Sequence, residues 1–187
     1  MIGNGASALL LALTMIWPGA STCRVWRLSA ITASQAPQHP PIAASVTHAD
    51  SVRGPIEFSN PVLRMKGTIE PRAGNVLQMI EIAIGDTDIE AELGTFELVT
   101  GDGVGHAAIA VGGGAQLLFP IDRLPIGREM TQILPTDAAI AVTKNSADSV
   151  TLEATSKATL AFLYEVPQGA VVKTLKLPDG SALALDK

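Results

Sequence analysis

From residue 60 onward the chain breaks into short apolar runs bounded by Gly, Pro, Asn or Asp, and no 3.6-residue period connects them. The runs fall at 62–69, 76–84, 89–93, 96–100, 107–111, 116–119, 139–143, 150–154, 159–166, 171–177 and 182–185. Several alternate cleanly. Over 159–166, Leu160, Phe162, Tyr164 and Val166 share one side, and Ala161, Leu163 and Glu165 the other. Over 150–154, Val150, Leu152 and Ala154 oppose Thr151 and Glu153. Residues 76–84 are apolar on nearly both faces, which predicts a central strand. A one-residue slip would expose any of these apolar sets, so the pattern fixes the register. The sharpest local signal is Pro178-Asp179-Gly180 between two β-prone segments. Proline presets φ for a turn, Asp179 can cap it and Gly180 can take a positive φ, so a C-terminal hairpin is predicted. Leu124-Pro125-Ile126-Gly127-Arg128 and Leu134-Pro135-Thr136-Asp137 read instead as longer crossings between sheets. Strands at this spacing predict an all-β antiparallel sandwich.

The first 60 residues have a different texture. Residues 6–17, ASALLLALTMIW, form an uncharged apolar run of 12 residues, well short of the roughly 20 needed to span a bilayer. That is the length of a signal-peptide core, and Pro18 to Thr22 supply a helix break and small residues for cleavage. The leading MIGNG has no Lys or Arg, which departs from a usual export signal, and a core helix or strand of a cytoplasmic protein is the competing reading. Cys23 follows Ala20-Ser21-Thr22 in a partial lipobox, with Ala20 where Leu is usual and Thr22 where Gly or Ala is usual. Either Cys23 is a lipidation site or cleavage falls near Ala20 to Thr22, or after Ala36, and Cys23 is incidental. Pro37, Pro40, Pro41, Pro55 and Pro61, set among Ala, Ser, Gln and His, then predict an extended tether without a fixed fold. The expected division is a signal-like segment at 1–22, a tether at 23–60 and a sandwich at 61–187. The expected location is outside the cytoplasm, periplasmic or secreted, with membrane contact only through a lipid anchor or an uncleaved signal.

Composition narrows the function classes. Hydrophobic residues are 47% and charged residues 17%, which places the chain among folded proteins. Aromatics are only 4%, too few for a sugar- or base-stacking surface. The net charge is −5, and from residue 59 onward 10 Lys+Arg stand against 16 Asp+Glu. A domain of that sign repels a phosphate backbone, so no nucleic-acid partner is expected. The single cysteine rules out an internal disulfide and a Cys-rich zinc site.

The run Phe162-Leu163-Tyr164-Glu165-Val166-Pro167, followed by Gly169-Ala170 and the strand bearing Leu175 and Leu177, resembles a motif of one bacterial domain family. These are immunoglobulin-like domains of secreted proteins and lipoproteins, related in fold to the mycobacterial immunoprotective extracellular antigen. An earlier match is Phe96-Glu97-Leu98-Val99 ahead of the Asp102-Gly103 turn. The chain departs from the pattern in lacking an Asn at the end of the second strand and in carrying a Gly-rich stretch over 111–115. The resemblance implies an immunoglobulin-like sandwich acting as a binding or accessory module, and it carries over no catalytic residue.

The candidate chemistry is thin. Gly101-Asp102-Gly103-Val104-Gly105 lacks the strand–turn–helix frame of a dinucleotide site and reads as turn glycines. Asp86, Asp88, Glu90 and Glu92 recur every second residue, so a strand places them on one face, as a solvated edge or a weak cation site. His39, His48 and His106 are isolated; zinc binding or a Ser–His dyad at His106 would need partners from far along the chain. Arg123, Ile126 and Arg128 mark an apolar, basic loop suited to contact a protein partner, with pairing of Arg123 to Asp122 or Glu129 as the structural alternative. No catalytic, cofactor or metal residues are assigned. The expected function is a non-enzymatic binding or accessory module contacting protein. The alternatives are a structural subunit of an envelope assembly or a metal-dependent enzyme.

Overall fold

The computed structural model describes residues 41–61, 64–114 and 118–185. Cys23, the apolar run 6–17, and His39 lie outside them, so the signal and lipidation readings do as well. Among the described residues fourteen strands run in chain order. They are β1 (Ala44–Val52), β2 (Ile56–Asn60), β3 (Met65–Ile69), β4 (Asn75–Ile84), β5 (Ile89–Glu92), β6 (Glu97–Thr100) and β7 (Gly105–Gly112), then β8 (Leu118–Pro120), β9 (Glu129–Ile133), β10 (Ala139–Lys144), β11 (Val150–Ala154), β12 (Thr159–Pro167), β13 (Val172–Lys176) and β14 (Ala182–Ala184). The large sheet has eight strands in the order β1-β4-β12-β7-β6-β13-β14, with β8 also pairing β7. The described residues also form a four-stranded sheet, β5-β11-β10-β9, and a two-stranded one, β2-β3. Every ladder is antiparallel.

Two apolar layers hold the sheets together. Phe162, Tyr164, Leu160 and Ile80 of the large sheet pack with Ile140, Val142 and Leu152 of the four-stranded one. On the opposite face, Leu77, Met79, Ala161 and Leu163 pack under Ile56 and Phe58 of the β2–β3 hairpin. β4 and β12 therefore bury both faces, which is why their sequences are apolar at nearly every position. Phe162 stacks against Phe96 at 4.8 Å and Tyr164 at 6.3 Å. The Tyr164 hydroxyl donates to the Phe96 carbonyl at 3.2 Å, so its polar end is satisfied inside the core. Burial pushes the phenol's pKa up, which keeps it a neutral donor.

The structure corrects the expected boundary at residue 60. Residues 44–60, read as tether, form β1 and β2. β1 pairs along β4, and β2 places Ile56, Phe58 and Asn60 inward. The alternation of Ile56 and Phe58 is a real strand signal, masked by Gly54-Pro55 just before it. A second correction concerns 121–138. Residues 121–128 do cross from the large sheet to the four-stranded one, but 134–138 is the turn of a β9–β10 hairpin. Leu134 N donates to the Ala138 carbonyl at 2.8 Å, and Asp137 takes a φ of 61°. β9 escapes the alternation rule because its inward set includes polar Gln132 and its outward set apolar Ile133.

The C-terminal hairpin forms as its turn chemistry requires. Gly180 sits at φ 83°, Gly180 N donates to Leu177 O at 3.0 Å, and Asp179 Oδ1 accepts from the Ser181 amide and hydroxyl. The other oxygen of Asp179 accepts from Ile42 N at 2.7 Å, which ties this turn to the approach to β1.

Candidate functional site

A groove of about 640 Å³ opens where the large sheet changes partners. One edge of β7 pairs β6 up to Ala107 and resumes with β8 at Ala110, so among the described residues Ala108 and Ile109 have no strand partner on that side. On its other edge the register against β12 shifts: Leu163 faces Ala110, but Tyr164 faces Ala108. Ile109 is thus the extra residue of a bulge, a device that re-aims a side chain and interrupts a ladder. Half-buried Ile109 lines the groove, together with Ile69 at the end of β3 and Ile121 of the short 3-10 turn Ile121–Arg123.

Charged groups from separate elements converge on this apolar floor. Glu165 is the outward residue of β12, and its side chain keeps only 13% exposure. Its Oε1 accepts from Arg72 N at 2.6 Å and from Asn75 Nδ2 at 3.0 Å, while Oε2 lies 3.6 Å from Arg72 Nε. Burial by itself would raise the Glu165 pKa. The Arg72 amide, Asn75 and the Arg72 guanidinium outweigh it and hold the carboxyl below its ordinary range. Lys144, at the end of β10, donates to the Ile121 carbonyl at 3.0 Å and so straps the four-stranded sheet to the 3-10 turn. Arg123 ends that turn. Its guanidinium lies 5.3 Å from the Phe58 ring centroid, and Nη2 reaches the Thr68 carbonyl at 3.5 Å. Gly67 makes this contact feasible, because a Cβ there would come within 2.7 Å of Arg123 Nη1 and 3.1 Å of the Phe58 ring. Glu70 and Asp122, both exposed, complete a lining that carries both signs.

Of the three residues singled out for partner contact, the structure brings only Arg123 into this groove. It makes no ion pair with Asp122 or Glu129 among the described residues; Glu129 instead accepts from the Thr131 hydroxyl at 2.6 Å. Ile126 is 64% exposed and bridges to Lys144, and Arg128 is exposed beyond it, both outside the groove lining. Arg72, Lys144 and Glu165 were not anticipated. A legible hint was Glu165, the lone charge on the second face of a strand whose other residues there, Ala161 and Leu163, are apolar.

The remaining candidates fall to local structure. The segment 101–104 is the β6–β7 turn, with Gly103 at φ 83°. Asp102 Oδ1 accepts from the Thr100 hydroxyl at 2.6 Å, the main cause of its lowered pKa, and from Val104 N at 3.3 Å. His106 Nε2 approaches the Thr100 hydroxyl at 3.5 Å, and Thr100 is itself buried. The acidic series is dispersed. Asp88 accepts from Ser156 N, Glu92 accepts from the Ser149 hydroxyl, Asp86 lies 3.8 Å from Lys157, and Glu90 faces Glu153. His48 pairs with Asp50 at 2.7 Å on the exposed β1. Among the described residues no three His, Cys, Asp or Glu side chains gather as a metal site. No protein-family model, curated protein or solved structure matches the chain.

Proposed function

We propose that this chain is a non-enzymatic binding module acting outside the cytoplasm, and that it takes an extended segment of a protein partner in the groove beside Ile109. The observation that carries the proposal is the convergence of Arg123, Lys144 and Glu165, from three separate elements, around a sheet bulge. Each is already held by backbone groups, so little side-chain entropy remains to be lost on binding. The groove is open and its walls carry both signs, which suits a crossing peptide better than an enclosed apolar ligand. Ile69 and Ile109 offer apolar surface in a lining that also carries Glu70, Asp122, Arg123 and Lys144. The immunoglobulin-like relationship implied by FLYEVP and the closing hairpin agrees with this role, as does the export reading of residues 6–17.

The test is site-specific photo-crosslinking in the native host's envelope fraction. A photo-reactive residue replacing Asp122 should give discrete adducts that the same residue at Glu153, on the four-stranded sheet, does not. N-terminal sequencing of the mature chain should show residues 6–17 removed, and mass spectrometry should show whether Cys23 carries lipid. Adducts equal at both sites, or a chain beginning at Met1 in the cytoplasm, would sink the reading.

A further inference from the structure

The strand edges of this protein are guarded unequally. In β1 the register shifts between Val46 and His48, and such a bulge bends an edge away from a flat partner. β14 is three residues long. On β3 the Thr68 carbonyl is taken by Arg123, and β2 lies beside β8, where Asn60 Nδ2 donates to the Leu118 carbonyl. β5 exposes Glu90 and Glu92, with Glu90 directly opposite Glu153, so a second acidic copy would be repelled there. Among the described residues β9 carries one charge, Glu129 at its start, and no other guard. Its sequence, EMTQI, contains no Pro, Gly, Lys or Arg, and its register against β10 runs without a shift.

What this edge offers follows from the hairpin register. Leu134 N donates to Ala138 O, so these two form a hydrogen-bonded pair, and such pairs alternate along an antiparallel ladder. Gln132 opposite Ile140 and Met130 opposite Val142 therefore spend their backbone groups on β10. The N–H and C=O groups of Glu129, Thr131 and Ile133 point to the open side.

We propose that a second copy of this chain pairs antiparallel along β9, Thr131 facing Thr131 across a two-fold axis, joining the two four-stranded sheets into one. In that register Glu129 lies opposite the partner's Ile133, so no like charges meet, and the central Thr–Thr pair is a favourable one. The apolar surface agrees. Ile133 is 66% exposed and Ile126 64%, two of the four large apolar side chains left in water among the described residues. Ile126 bridges to Lys144, one row beyond the Glu129–Thr143 row, which puts it in line with β9. Ile126, in the row of Lys144, takes the other face of the sheet from Ile133, so pairing sets each Ile133 against the aliphatic stem of the partner's Glu129 and withdraws part of it from water.

Sedimentation velocity on the full chain tests this. Thr131→Pro removes an open-edge N–H and leaves the β10 ladder intact; Thr131→Lys sets two like charges face to face and carries the test should the proline variant misfold. Both should raise the dimer dissociation constant by about tenfold or more. In a Cys23→Ser background, Thr131→Cys should oxidise to a covalent dimer, because hydrogen-bonded pairs hold their Cα atoms about 5.5 Å apart, within disulfide range. Glu90→Cys, on the guarded edge, should form no covalent dimer while still associating through β9. A chain that is monomeric at every concentration, a dimer indifferent to both substitutions, or Glu90→Cys crosslinking as fast as Thr131→Cys overturns the proposal.

Discussion

Replacing Glu165 with Gln keeps the side chain's size and removes its charge, and the consequence can be worked out from the contacts. In the native protein one carboxylate oxygen accepts from the Arg72 amide and from Asn75, and the other faces the Arg72 guanidinium. Hydrogen bonds to a charged acceptor contribute about 1.5–3 kcal/mol, neutral ones about 1 kcal/mol. The amide oxygen of Gln can keep one or both donors at the weaker value, and its NH₂ must turn toward the Arg72 guanidinium. That guanidinium is exposed, so the lost ion pair itself contributes only about 0–1 kcal/mol. The expected net cost is about 1–2 kcal/mol at neutral pH. The pH dependence gives a second, independent readout. Because the Glu165 pKa is lowered by folding, its stabilisation is fully present above the unfolded value of about 4.3 and is lost as pH falls through the folded value. Urea unfolding followed by circular dichroism from pH 7 down to pH 3 should therefore show a gap between native and Glu165→Gln proteins that narrows as the pH falls below the unfolded value of about 4.3. A gap of the same size at every pH would refute the electrostatic account and leave packing alone as the cause.

Three further substitutions probe the sandwich. Gln132 is buried and neither end of its amide has a partner among the described residues, so Gln132→Met, similar in volume, should raise stability by about 1–3 kcal/mol in the same urea assay; a loss would show the amide to be satisfied in solution. Tyr164→Phe removes the donor to the buried Phe96 carbonyl and should cost about 1–2 kcal/mol, whereas no loss would mean the 3.2 Å contact contributes nothing. Gly113→Ala places a Cβ against Leu134, 3.1 Å from Gln132 Nε2 and 3.4 Å from Ile140; it should cost about 1–3 kcal/mol by overpacking, and neutrality would show that Leu134 moves freely aside.

The strands that alternation finds are those whose two faces differ cleanly in polarity or are both apolar. β11 lies where the pattern puts it, and β4 and β12 sit centrally, because their side chains meet two apolar layers or one apolar layer and water. The three strands that the pattern misses fail for separate physical reasons. β1 is an edge strand with a bulge, so His48, Ala49 and Asp50 do not keep a strict period. β2 is short and preceded by Pro55, and its inward face includes Asn60, whose burial is tolerable because its amide reaches the Leu118 carbonyl. β9 carries a buried Gln and an exposed Ile, the reverse of what the rule expects.

The groove was legible only through Arg123 and the isolated charge of Glu165, and the reason lies in how it is built. Its floor is made by one residue out of register, Ile109, and a register shift arises from the fit between two strands, a property neither sequence carries alone. Arg72, Lys144 and Glu165 come from positions 72, 144 and 165, and each is an ordinary polar residue at the end or outer face of its element. What distinguishes them is that each is committed to a carbonyl, an amide or a counter-charge from a different segment. Long-range commitments of this kind cost loop closure and side-chain entropy, and the entropy is recovered only when the second apolar layer has already drawn β2–β3 onto the large sheet. The site is thus a consequence of the hairpin whose first strand, β2, falls in the expected tether: without Phe58 packed over Leu77 and Leu163, Arg123 has no ring to rest on and no Thr68 carbonyl to reach.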